Sequence, residues 1–185
     1  DVSKRQDEDN VIDVSDDAFG GSAAALLSIH HFNTGDGSII EELQGIQERC
    51  PIRLTTELID SRSSSKHAMQ RLTNLLTRSP DAIPFPQACA FLGSSWSSVT
   101  KALATVTGVY DLPHVTSSAS SADLDDASEY PLFARTHPSD ASMAQLSIDY
   151  LATQLNVDFV GVLYLDNAFG NSYNEQLLKD AAELN

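Results

Sequence analysis

Hydroxyl side chains crowd two short stretches of the chain, Gly93-Ser-Ser-Trp-Ser-Ser-Val-Thr100 and Thr116-Ser-Ser-Ala-Ser-Ser-Ala-Asp-Leu124. A third stretch, Phe133-Ala-Arg-Thr-His-Pro-Ser-Asp140, ends in a carboxylate. Hydroxyls and backbone amides both donate and accept hydrogen bonds, so such a set can hold a polar group at little desolvation cost. Ser97 or Ser98 reads as the N-cap of a helix whose apolar positions Val99, Ala102, Leu103 and Val106 follow helical spacing. A helix start holds carboxylates and phosphates through its unpaired N–H groups and its dipole, without any basic side chain. Serine also caps helices and forms turns in proteins that bind nothing. Hydroxyls alone therefore leave both roles open.

Other chemistries fit less well. Gly93-Ser-Ser-Trp-Ser97 lacks the second glycine of a nucleophile elbow, and no glycine-rich phosphate loop with lysine occurs. Ser98-Val-Thr-Lys101 satisfies Ser-x-x-Lys, the nucleophile motif of serine β-lactamases, but Ser-Asp-Asn and Lys-Thr-Gly are missing. His30 and His31 are adjacent and do not share a helix face, which disfavours a chelating pair. Asp123, Asp125, Asp126 and Glu129 lack the spacing and glycine of a calcium loop. Enzyme readings are therefore weak, and the residues call for no cofactor or metal.

The elements that must position these residues read as α/β. Ala88 to Leu92 is a short apolar run ending at a glycine, as a buried parallel strand delivering its carboxyl end to a loop would. With the helix after it, Asp111-Leu-Pro-His-Val115 and Phe133 onward, the order is strand, turn, helix, strand, turn, strand. Upstream, Ala23 to Phe32 reads as a helix with Leu26, Leu27 and Ile29 inward, broken at Asn33-Thr-Gly-Asp-Gly37. Ser38-Ile-Ile-Glu41 has capping-box spacing and opens a helix through Ile39, Ile40, Leu43 and Ile46 that Pro51 stops. Ile52, Leu54, Thr56 and Leu58 alternate as a strand, and Ser64 to Thr77 form a helix burying Ala68, Met69, Leu72, Leu75 and Leu76. Pro80, Pro84 and Pro86 mark a loop. After Asp140 a long helix runs through Met143, Leu146, Ile148, Leu151 and Leu155; Phe159-Val-Gly-Val-Leu-Tyr164 reads as a second buried strand, followed by a turn at Asp166 to Gly170 and a helix to Asn185.

At 185 residues the chain can bury a sizeable core. Its net charge of -15 excludes nucleic acid, whose phosphates are bound by clustered Lys and Arg. No run of apolar residues is long enough to span a bilayer, and the first residues, Asp-Val-Ser-Lys-Arg-Gln-Asp-Glu-Asp9, are not followed by the apolar core of a signal peptide. Cys50 and Cys89 are the only cysteines, and no Asn-x-Ser/Thr glycosylation acceptor occurs.

The run from Gly93 through Asp140, and on to Tyr164-Leu-Asp-Asn-Ala-Phe-Gly170, resembles the ligand-binding region of class C G-protein-coupled receptors of the metabotropic glutamate and GABA type B kind, which share the type I periplasmic-binding-protein fold. The resemblance implies a doubly wound α/β lobe with a parallel sheet, joined near Pro138 to the first strand and helices of a second lobe. It divides the chain into an acidic mobile segment at 1–18, lobe one at 19–138, lacking the family's first strand, and the opening of lobe two at 139–185. Ser97, Ser118 and Ser120 match lobe-one positions that hold the carboxylate and amino end of an amino-acid ligand. Asp140 matches an acidic position facing the ligand's ammonium group, and Phe169 stands where glutamate-type receptors often carry tyrosine. The family often has a disulfide in this lobe, which leaves a Cys50–Cys89 bridge and two buried thiols as alternatives.

The expected function is an extracellular region of a plasma-membrane receptor. It would sense a small amino-acid-like ligand by lobe closure, pair through lobe one, and signal to a G protein through a membrane domain outside this chain. The alternative is a soluble solute-binding protein feeding amino acids to a transporter. Taken alone, a piece without the first strand and most of lobe two is expected to be unstable or prone to aggregate.

Overall fold

The computed structural model describes residues 16–77 and 88–183. The acidic stretch through residue 15 and the three loop prolines lie outside the described residues, while Asp16 to Ala18 already belong to the first helix.

The helices are α1 (Asp16–Thr34), α2 (Ile46–Arg49), α3 (Ser65–Leu76), α4 (Ser97–Val109), α5 (Asp140–Thr153) and α6 (Ala168–Glu183). Three short parallel strands, β1 (Phe91–Leu92), β2 (His114–Thr116) and β3 (Phe133–Arg135), form a sheet in the order β1-β2-β3. Phe91, His114 and Phe133 stand in one row of that sheet. The strand-helix-strand unit that the sequence suggests is thus present, with α4 as the crossover between two parallel strands.

The core is built on α4. Its Val99 and Leu103 pack with Ala68 and Leu72 of α3, and Leu75, Leu76, Phe91 and Val106 close the cluster. The opposite side of α4 offers Ala104 to a second cluster of Ala119, Leu124 and Tyr130, with Phe133 against it. Each fully buried leucine here contributes about 1.5–3 kcal/mol relative to exposure. The α3 expectation holds, with Ser64 as the cap of the helix: its hydroxyl accepts from the His67 N–H.

Several local expectations fail. The helix expected from Ser38 breaks into a 3-10 turn at Glu41–Leu43 and the short α2, with Gly45 left-handed between them. Ser38 does not cap, because the Asp36 carboxylate takes its N–H at 2.8 Å in a competing turn. α1 begins upstream of the expected Ala23 and takes in Gly20 and Gly21, and Leu26 and Leu27, expected inward, are exposed. At the other end of α1, Gly35, at φ +67°, turns the chain so that the Asp36 N–H reaches the His31 carbonyl at 3.0 Å. Residues 52–58 form no strand, and the Asn33 amide donates to and accepts from the Leu54 backbone, both at 2.8 Å.

The stretch 159–164 is likewise no strand, and Phe159 is 88% and Leu163 101% exposed. Leu155 falls beyond the end of α5. Both cysteines are free, Cys50 half-buried and Cys89 exposed, so neither the bridge nor the pair of buried thiols is found.

Candidate functional site

The carboxyl ends of β1 and β2 open onto two loops that are stitched together by hydroxyls. Leaving β1, the Ser94 carbonyl accepts from the Thr100 hydroxyl at 2.8 Å and from the Thr116 hydroxyl at 2.6 Å. One residue earlier, the Gly93 carbonyl is bonded to Nε2 of His114. A carbonyl only accepts, so Nε2 carries the proton and Nδ1 is bare; Nδ1 is buried without a partner. The ring sits edge-on between Phe91 and Phe133, 4.9 and 5.4 Å away. Burial among these groups lowers the His114 pKa and outweighs the opposing hydrogen bond to Gly93.

The N-cap of α4 is Trp96, and Ser97 is the first helical residue, which corrects the cap expected at Ser97 or Ser98. Ser97 is buried, and its hydroxyl accepts from the Ser121 N–H at 3.2 Å. Ser98 is exposed, and its carbonyl takes the Ser65 hydroxyl of α3 at 2.9 Å. Lys101 is bonded to Asp123, so the Ser-x-x-Lys spacing builds no nucleophile.

The serine turn then meets α5 and α6. The Ser120 carbonyl accepts from the Asp140 N–H at 2.8 Å, and the Ala122 N–H donates to the Ser172 hydroxyl of α6 at 2.9 Å. Asp140 is buried as the first residue of α5; the cap is Ser139, whose hydroxyl accepts from the Ala141 N–H. Burial raises the Asp140 pKa, against the hydroxyls of Ser120 and Ser172 and the charges of Arg135 and His137, which favour the carboxylate. Two polar atoms here are buried without a partner: the Ser121 hydroxyl oxygen and Oδ2 of Asp140.

Of the residues singled out in the sequence, Ser97, Ser120 and Asp140 come together through these bonds. Ser118 lies at the rim, exposed, with its hydroxyl 3.5 Å from the Ser95 carbonyl. Ser98 turns to α3. Phe169 is half-exposed at the start of α6, its ring 6.3 Å from that of Tyr173, and the α6 residue bonded into the cluster is Ser172. Ser121 and Ser172 were not legible as members. Ser121 adjoins a chosen serine with nothing local to separate the two, and Ser172 arrives only through the packing of α6.

Hydroxyls, helix-start amides and one carboxylate can hold a zwitterion. They supply no nucleophile with a neighbouring base, since His114 is engaged with Gly93. Among the described residues no group of three or more His, Cys, Asp and Glu could hold a metal ion, and no helix is long and apolar enough to cross a membrane.

A family described as receptor family ligand binding region matches residues 40–185. Metabotropic glutamate receptor 4 of Rattus norvegicus is 24% identical over 147 residues, 71% of this chain and 16% of the receptor. The metabotropic glutamate receptor of Drosophila melanogaster is 30% identical over 94 residues, 51% of this chain and 10% of the receptor. A probable metabotropic glutamate receptor of Caenorhabditis elegans is 29% identical over 92 residues. The chain spans only a small part of the length of these relatives. With the mixed helix and parallel-strand fold and the match over most of its length, the chain belongs to the receptor family ligand binding region.

Proposed function

We propose that this chain is the greater part of lobe one and the opening of lobe two of an extracellular sensor for a small amino-acid-like ligand. The observation that carries the reading is the pair of buried, partnerless polar atoms, the Ser121 hydroxyl and Asp140 Oδ2, beside Ser97 at the start of α4. An unpartnered buried polar atom costs stability, and a ligand that supplies its hydrogen bond recovers that cost. In this reading the α4 amides with Ser97, Ser118 and Ser120 take the ligand's carboxylate and amino end, and Asp140 faces its ammonium group. Phe169 offers an aromatic face without tyrosine's hydroxyl.

The bonds from the serine turn to Asp140 and Ser172 join residues assigned to the two lobes, which supports closure of the second lobe as the signal. The whole protein would be a plasma-membrane receptor, paired through lobe one and coupled to a G protein.

The test is thermal stabilisation of the full-length protein by L-glutamate, L-serine, L-arginine and L-phenylalanine, since a ligand that binds only the folded state must raise the melting temperature. At least one should do so, and Ser97→Ala with Ser120→Ala should abolish the shift. A shift retained in that double variant moves the site elsewhere; no shift with any of the four defeats the amino-acid reading.

A further inference from the structure

Three successive peptide groups of the serine turn are pinned, and one side chain holds two of them. Arg135 projects from β3 and is nine-tenths buried. Its Nη1 donates to the Ala119 carbonyl at 3.2 Å and to the Ser121 carbonyl at 3.0 Å, the carbonyls on either side of Ser120. The intervening peptide is held by other groups: its carbonyl by the Asp140 N–H and its N–H by the Ser97 hydroxyl. The Nη2 of Arg135 is bonded to one oxygen of Asp125. The other Asp125 oxygen accepts the Ser139 hydroxyl at 2.5 Å, and Ser139 caps the helix that begins with Asp140.

A single guanidinium therefore ties the serine turn to the cap of α5. We propose that Arg135 is a positioning residue for ligand binding, acting through Ser120, Ser121 and Asp140 without touching the ligand. The inference rests on the amino-acid reading above. The geometry calls for arginine in particular. Three acceptors on two sides suit a planar fork with several donors, whereas a lysine ammonium is a compact point charge on a flexible stem. The same three acceptors offset the cost of burying the cation.

The test compares the full-length protein with its Arg135→Met, Arg135→Lys and Asp125→Asn variants. Two readouts are taken: affinity for whichever of L-glutamate, L-serine, L-arginine and L-phenylalanine stabilises the wild type, and hydrogen exchange at the Ser121, Ala122 and Asp140 amides. Both Arg135 variants should lose affinity by about tenfold or more, the scale of a charge-assisted hydrogen bond. Those three amides should exchange faster while the α3 amides do not change. Asp125→Asn leaves the carbonyl contacts in place and should show the same pattern more weakly; it decides the matter if the Arg135 variants fail to fold. Full affinity in Arg135→Lys overturns the proposal, as does faster exchange with unchanged affinity or lost affinity with unchanged exchange. If the wild type binds none of the four amino acids, the amino-acid reading fails first and takes this role with it; if it binds and only the variants behave wrongly, the failure belongs to Arg135 alone.

Discussion

Residues 112–116 and residues 159–164 are both short runs following a helix, and they end in opposite environments. In the first, Leu112, His114 and Thr116 are buried, and His114 is completely inaccessible. In the second, six residues with no charged side chain, Phe159 and Leu163 stand in solvent. The run that carries His114 and Thr116 is inside and the apolar run 159–164 is outside because the first has a strand on each side. Phe91 and Phe133 flank His114 in the ladder, and the Thr116 hydroxyl finds the Ser94 carbonyl. A strand becomes core when its backbone groups are paired across neighbours, and side-chain hydrophobicity alone does not bring those neighbours.

Unfolding measurements can break or sharpen this contrast. The largest effect should come from the packed side: Leu72→Ala leaves a cavity between α3 and α4 and should cost about 2–5 kcal/mol in denaturant unfolding. A cost below about 1 kcal/mol would mean that the two helices repack freely.

Next in size is the pH response of His114. Its folded pKa lies below 6.5, so the unfolded chain takes up a proton that the fold resists. Its contribution is fully present above pH 6.5 and falls as the pH drops from there toward the folded value. His114→Gln should flatten that part of the stability curve, and an unchanged slope would show that the ring is not held neutral.

Asp140 should respond with the opposite sign. Its folded pKa lies above 3.8, so its contribution is present below pH 3.8 and is lost as the pH rises through the folded value. Asp140→Asn should therefore raise the ligand-free melting temperature at neutral pH, with the gain vanishing below pH 3.8, while weakening any amino-acid binding. Loss of both stability and binding would mean that the carboxylate serves the fold.

The smallest effect belongs to the exposed run. Leu163→Ala should lie within about 0.5 kcal/mol of wild type. A core-sized loss there would show that Leu163 is covered in solution.

Much of the positioning framework was legible. An apolar run that stops at Gly93 and a helical stripe through Val99, Leu103 and Val106 indicated β1 and α4, and the stripe Ala68, Leu72, Leu75 and Leu76 indicated α3, because these signals are local. Ser97, Ser120 and Asp140 came from the family resemblance and proved to be neighbours. What escaped depends on contacts distant in sequence. Arg135 could have been read as a surface charge, and Ser172 sits 50 residues from the amide it caps. The strands expected at 52–58 and 159–164 failed because alternation or apolarity describes side chains and is silent about ladder partners. At Ser38 two local signals competed, and the Asp36 turn prevailed over the capping box.

Asn33 has a consequence for how the chain can be edited. Its amide grips the peptide of Leu54, 21 positions along, as a neighbouring strand would, and so closes a loop that the Gln47 amide also ties to the Phe32 carbonyl. Because the entropy of closing a flexible loop grows only with the logarithm of its length, doubling such a loop costs about 0.6 kcal/mol. The exposed tip around Ile39 and Ile40 should therefore accept an inserted tag or reporter, provided the Asn33 clasp is kept.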